Sequence, residues 1–309
     1  MIPAYMSEGH YLKDRASLYL LLLAVVLAFS AIVLLLPYET VYVKDRVYLS
    51  VFLGTMIACV GVFLLGVLFN VLVWMRGKGL VGSPEGRLLR LIPKAVRFIL
   101  RKRVGKAISV FAKDALYLSR LKDRSTTRWL MHLLILGGFI ATFMLDLIVT
   151  FSLDIVRYGP MIDEHGWAKM WIRDFGFDLA GFLMLLGLLI AAVRRFVTRP
   201  KILRTELPDA ASILFLLAVV LGGFLLEGIG IAGRIEGHQA NETYSFLGYA
   251  ISVVTPASWG QYYDQVWLAH GIMSALLIAY IPFSKMFHMI ATPIAIEVDK
   301  MLPREGAAP

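Results

Sequence analysis

Three histidines lie inside apolar stretches of this chain, and imidazoles at such places can ligate metal or carry protons. From Asp264 to His288 the sequence is apolar and about long enough to cross a bilayer. His270 and His288 stand 18 residues apart in it. Read as one helix at about 100° per residue, that spacing is five whole turns, so both imidazoles point to one side. At about 1.5 Å per residue they lie roughly 27 Å apart, close to the thickness of the hydrocarbon core. One imidazole at each membrane face could hold two haems across a membrane. The third, His132, opens another apolar stretch. Ionisable groups within membrane helices are costly and mark function, with a partner to be found.

Composition sets the class. The 309 residues are 59% hydrophobic and 17% charged, with a mean hydropathy of +0.72. A soluble fold of this size cannot bury that much apolar surface, so the expected fold class is an all-α integral membrane protein. The net charge of +9 then points to cytoplasmic loops and lipid headgroups, not to nucleic acid. One cysteine, Cys59, excludes an iron–sulfur cluster held by this chain alone, so any cluster belongs to a partner. No cleavable signal peptide is evident.

The elements that must position the histidines are six expected transmembrane helices in a bundle. They cover residues 16–36 (ended by Pro37), 47–75, 128–153, 173–193, 209–231 and 264–290. Between the second and third, residues 76–127 carry 14 Lys/Arg against three acids, with apolar residues recurring at helical spacing. That pattern reads as amphipathic inner-surface helices. Gly77, Gly79 and Gly82 fit a dinucleotide-binding pattern, but they follow a membrane helix instead of a strand and read as a turn. The segment from Thr243 to Val254 suits a short interfacial helix. The expected organisation is a two-helix extension (1–75), the basic cytoplasmic loop (76–127), a four-helix haem-binding bundle (128–293) and a tail (294–309).

The basic loops at 76–127 and 194–208 belong in the cytoplasm, which places both termini there too. His132 and His288 then lie at one depth near the inner face, on antiparallel helices, and suit bis-histidine ligation of a b-type haem. Gly137, Gly138 and Gly271 would let a flat porphyrin approach backbone. His270 lies near the outer face. Opposite it, about ten residues beyond His132, stands Thr142, with Asp146 one turn on. Neither is a usual haem ligand, so an outer haem would be five-coordinate, take His165 or His238, or be absent. Asp146, Lys169, Arg173, Glu227 and Arg234 gather near the outer ends of spans. There they could serve proton release from a quinol or simply snorkel to the interface.

These residues carry a resemblance. The His270–His288 spacing, Ile281-Pro-Phe-Ser-Lys285 before His288, Ala291-Thr-Pro-Ile294 after it, Leu130-Met-His132 through Phe139, and Arg194-Arg195 through Pro200 resemble the respiratory nitrate reductase gamma subunit family. The likeness covers roughly residues 125–297. In that family two b haems cross the membrane, which implies His132 and His288 on the inner one and His270 on the outer. The family's second outer ligand falls here on Thr142, and its quinol-site lysine on Lys169. The extra N-terminal spans and the basic loop look more like a sub-branch, the cytochrome b subunits that accompany heterodisulfide-reductase-like iron–sulfur proteins, including the DsrM type of sulfate-reducing organisms.

The resemblance implies a subunit of a respiratory oxidoreductase complex in the prokaryotic cytoplasmic (inner) membrane. It would exchange electrons, through haem b, between a menaquinone-type quinone pool and a cytoplasmic iron–sulfur subunit. The expected site residues are His132, His288 and His270 as haem ligands, with Lys169, Asp146, Thr142 and His270 toward quinone. The rival expectation is a non-redox transporter or scaffold whose histidines pack or relay protons. It has no inverted repeats behind it.

Overall fold

The computed structural model describes residues 46–74, 111–163, 165–198, 207–235, 238 and 242–292, with Leu20, Leu23 and Leu27. Among these residues the chain is helical and holds no strand. Five helices are long and apolar enough to cross a membrane: Arg46–Trp74, Thr126–Leu153, Lys169–Thr198, Leu207–Ala232 and Ala257–Phe283. They answer to five of the six expected spans. The span expected at 16–36, most of the basic loop and the tail fall outside the described residues.

We number the regular helices α1 (Arg46–Trp74), α2 (Thr126–Thr150), α3 (Phe175–Ala192), α4 (Leu207–Ala232), α5 (Phe246–Ser252) and α6 (Tyr263–Tyr280). A wide π-helical turn, Lys169–Asp174, leads into α3, and another, Val193–Thr198, leaves it. The chain divides into two compact units. One comprises Met1–Val33, Ile57–Ala115 and Ile278–Pro309, the other Leu34–Met56 and Leu116–Leu277.

In the larger unit, α2, α3 and α4 pack through small residues. A Cβ on Gly138 of α2 would lie 2.7 Å from the Ala180 carbonyl oxygen of α3, and one on Gly187 of α3 would lie 2.7 Å from Ile135 of α2. Lipid offers no hydrophobic drive between helices, so close backbone approach supplies the contact. Gly181 admits Phe224 of α4 in the same way, and Gly228 of α4 admits Ile251 of α5. Beyond α2, Leu153, Met161 and Ala168 form a buried cluster that closes the connection to α3. Arg195 binds Asp209 at 2.5 Å and ties the exit of α3 to the start of α4. Before α2, Trp129 donates its indole N–H to the Tyr117 carbonyl, and Lys122 lies over both rings. The helix starts on Ser125, whose hydroxyl accepts the Arg128 N–H at 3.4 Å. Phe143, Met144, Leu147 and Ile148 are exposed on α2, as expected of a lipid-facing side.

The smaller unit corrects one expectation. The helix expected unbroken over 264–290 ends at Tyr280 and continues as two 3₁₀ turns, Ile281–Phe283 and Lys285–Phe287. Pro282 has no N–H to donate to the preceding turn. Ser284 is extended (φ −113, ψ 171), and its hydroxyl accepts the Met286 N–H at 3.1 Å. The five-turn phase count from His270 to His288 therefore does not carry across this break. The C-terminal part of α1 holds the turns. A Cβ on Gly66 would lie 2.6 Å from Pro282 Cβ, and Asn70 donates to the carbonyls of Gly66 and Pro282 at 2.9 Å each. Trp74 stacks near Phe287 at 5.5 Å.

Candidate functional site

His132 lies in the second turn of α2. Its Nδ1 is 2.8 Å from the Arg128 carbonyl oxygen, one turn back on the same helix. A carbonyl only accepts, so Nδ1 carries the proton and a neutral ring presents its basic nitrogen at Nε2. His288 follows the Lys285–Phe287 turn, and its Nδ1 hydrogen-bonds the Lys285 carbonyl. The same logic leaves Nε2 as its basic nitrogen. Metal-bound imidazoles are held in this way, by a carbonyl on the far ring nitrogen that sets tautomer and orientation. Taken singly, both side chains fit axial haem donors. His132 belongs to the larger unit and His288 to the smaller.

His270 differs. Its Nδ1 is buried and has no hydrogen-bond partner. The ring lies against α4, where a Cβ built on Gly222 would stand 3.2 Å from Nδ1 and one on Gly223 3.6 Å from Nε2. Thr142 Oγ1 is likewise buried without a partner. An imidazole nitrogen and a hydroxyl, each buried and unpaired, are polar atoms that a bound group could satisfy. Sequence alone did not single out the Gly222–Gly223 pair, although two adjacent glycines in mid-span signal close approach by a neighbour. The glycines expected to admit porphyrin are mostly in use elsewhere. Gly138 packs on Ala180 and Met184, Gly271 sits 2.8 Å (by a built Cβ) from Phe52, and only Gly137 has nothing within 4 Å.

Of the charges that could either serve proton release or snorkel, Lys169 and Arg173 turn inward. Lys169 is 1% exposed and its Nζ lies 2.8 Å from Asp174 Oδ2, while Arg173 Nε lies 2.7 Å from Asp174 Oδ1. Pairing within the wide turn before α3 makes burial tolerable, since each charge has a counter-ion. Asp178, not among the residues marked by sequence, is wholly buried one turn further on. Its signal is plain, an acid inside an apolar span. Glu227 of α4 reaches it and Ser245. His238 Nε2 lies 3.2 Å from the Tyr263 hydroxyl. Burial, helped by the positive charges of Arg173 and Lys169, pushes its imidazole down from 6.5 to about 3, so the ring is neutral at ordinary pH. The structure does not draw every expected residue into this cluster: Asp146 is exposed on α2, His165 is exposed on its loop, and Arg234 is exposed just past α4.

Comparison with known proteins gives the family. The profile of the nitrate reductase gamma subunit family matches residues 132–302, more than half of the chain. One component of the dihydromethanophenazine:CoB–CoM heterodisulfide reductase of Methanosarcina barkeri is 28% identical over 257 residues, covering 77% of this chain and 87% of that protein. Its counterpart in Methanosarcina acetivorans is 29% identical over 255 residues, with the same coverage. An EtfAB:quinone oxidoreductase of Syntrophomonas wolfei is 23% identical over 252 residues, covering 77% of this chain and 32% of that protein. No solved structure matches. A multi-pass helical chain with this match over its histidine-bearing half belongs to the nitrate reductase gamma subunit family.

Proposed function

We propose that this chain is the membrane cytochrome b subunit of a respiratory redox complex. It exchanges electrons between a menaquinol-type quinone pool and a cytoplasmic iron–sulfur partner of the heterodisulfide-reductase kind. The observation that carries the reading is the shared state of His132 and His288, each with Nδ1 held by a backbone carbonyl and Nε2 left as the basic atom. The family match supports it, and so do relatives whose names describe a heterodisulfide reductase acting with dihydromethanophenazine and a quinone oxidoreductase.

In this reading His132 and His288 would hold one b haem near the cytoplasmic face, and His270 would hold a second toward the outer face. Haem so held supplies one-electron exchange, while the chain sets ligation, burial and access. The quinone end lies around His270 and Thr142, with Lys169 near it and Asp146 on the adjoining helix. A quinol oxidised there gives up two electrons, which leave toward the iron–sulfur partner, and two protons, which leave outward. The basic loops favour a cytoplasmic side for both termini, and the prokaryotic relatives support a place in the inner membrane.

The test is the reduced-minus-oxidised spectrum of the purified complex. Wild type should show b-type bands, and His288→Ala and His132→Ala should each remove the same spectral component. Colourless wild-type protein, or a spectrum indifferent to both substitutions, would refute the reading and favour a transporter or scaffold.

A further inference from the structure

The charged groups around the start of α3 do not balance as free ions. Among the described residues Lys169 and Arg173 supply two positive charges, and both pair with Asp174. Asp178 and Glu227 add two more carboxyls to the same buried cluster. Asp178 is 0% exposed. Its Oδ2 accepts the backbone N–H of Leu247 at 2.5 Å, while its Oδ1 is buried with no donor. The carboxyl that meets it is that of Glu227. Glu227 is itself roofed by α5, where a Cβ on Gly248 would lie 2.5 Å from Glu227 Cγ. With both groups ionised, two acceptors face one another, and the described residues of the cluster carry two positive and three negative charges. One proton removes both faults. The backbone donors of α5 point at Asp178, so that proton sits on Glu227 and is donated to Asp178 Oδ1.

The position of the pair gives the proton a use. Glu227 lies four residues past Gly223, hence one turn along the same face of α4. Gly222 and Gly223 are where the His270 ring packs. The pair therefore stands one turn from the His270 ring, on the side of the Lys169–Asp174 turn. Among the described residues, the other groups facing it are Asp174 with its two cations on the approach to α3, and Ser245 with the Leu247 and Gly248 amides on α5. His238 of the connecting loop stands beside Arg173 and Lys169, bonded to Tyr263 of α6.

We propose that Asp178 and Glu227 form a proton-sharing carboxyl pair that relays protons from a hydroquinone oxidised beside His270 to the outer face past Asp174. The relay rests on the quinol reading above; the shared proton does not. At rest the pair holds one proton. Each hydroquinone loses two electrons, which pass to the iron–sulfur partner, and two protons. The pair takes these one at a time, cycling between one and two protons, and returns each to water at the outer end.

Two measurements on the intact complex in native lipid decide it. Infrared difference spectra in H2O and D2O, without added quinol, should show a deuterium-sensitive protonated-carboxyl band that Glu227→Gln removes. That change keeps size and gives Asp178 Oδ1 an amide donor, so the fold is retained; Glu227→Asp should restore the band. With menadiol as donor, Glu227→Gln should slow turnover about a hundredfold with unchanged haem content, the usual size of a lost proton-transfer group. Absence of the band, or its survival in Glu227→Gln, overturns the pair. Loss of the band with wild-type turnover overturns the relay. Wild type that does not oxidise menadiol but shows the band overturns the quinol reading and the relay with it, and leaves the pair standing.

Discussion

Two adjacent glycines of α2 should respond oppositely to the same change. On Gly138 a new Cβ would meet the Ala180 carbonyl oxygen at 2.7 Å, Met184 Cβ at 2.7 Å and the Met184 nitrogen at 2.8 Å. Ordinary contact begins near 3.4 Å, and two of the three atoms are backbone. Gly138→Ala must therefore part α2 from α3 or shift one along the other, at a cost of about 1–3 kcal/mol. On Gly137 the Cβ meets nothing within 4 Å. Gly137→Ala then gains up to about 1 kcal/mol from lower backbone entropy in the helix. The separation of about 1–4 kcal/mol corresponds to roughly 2 °C or more in midpoint for a chain of this size. Intrinsic fluorescence of the six tryptophans during heating in detergent would read it. On the haem reading proposed above, in which α2 carries a ligand at His132, Gly138→Ala should also lose b-type absorbance before Gly137→Ala does. If Gly137→Ala melts below Gly138→Ala, or both match wild type, the close α2–α3 contact is wrong.

Two further outcomes follow from the geometry. His238 is neutral when folded, with its imidazole near 3, whereas the unfolded ring titrates near 6.5. Between those values the unfolded chain binds a proton that the folded chain does not, so stability present above 6.5 is lost as pH falls toward 3. His238→Gln should flatten the midpoint-against-pH curve in that window; an unchanged slope would remove His238 as its source. Asn70 bridges Gly66 O and Pro282 O, so Asn70→Ala should cost about 1–2 kcal/mol and loosen the turns that carry His288. Asn70→Asp, which turns an acceptor toward two acceptors, should cost more, and equal melting of the two variants would count against the bridge.

Much of this molecule is written in composition and period. The spans around residues 47–75, 128–153, 173–193 and 209–231 were legible because apolar runs of membrane length have few alternatives in water. The helix at Phe246–Ser252 was legible from its apolar content alone. The break after Tyr280 was half visible. Pro282 announces that a hydrogen bond is missing, but a proline in a membrane helix can be repaired by neighbours. Whether the chain bends or breaks depends on Ser284 capping Met286 and on Asn70 holding the Pro282 carbonyl, and the latter partner is 212 residues away.

The ionisable groups divide in the same way. Sequence alone determined that His132, His270 and His288 sit within apolar segments, and the expense of such residues marked them for function. It determined nothing about their neighbours. The Arg128 and Lys285 carbonyls that hold two of the rings are local, three or four residues off, yet a rotamer decides whether they are used. Only the tertiary structure set His270 against Gly222 and Gly223, because which face of α6 meets α4 depends on packing of both helices. Only the tertiary structure turned Lys169 and Arg173 inward. Hydropathy treats a charge near a helix end as bound for water, but Asp174 lies within reach of both, and a paired charge can be buried where a lone one cannot. Asp178 and Glu227 lie 49 residues apart on different helices, so their meeting is a product of the α3–α4–α5 packing and could not be read from either segment.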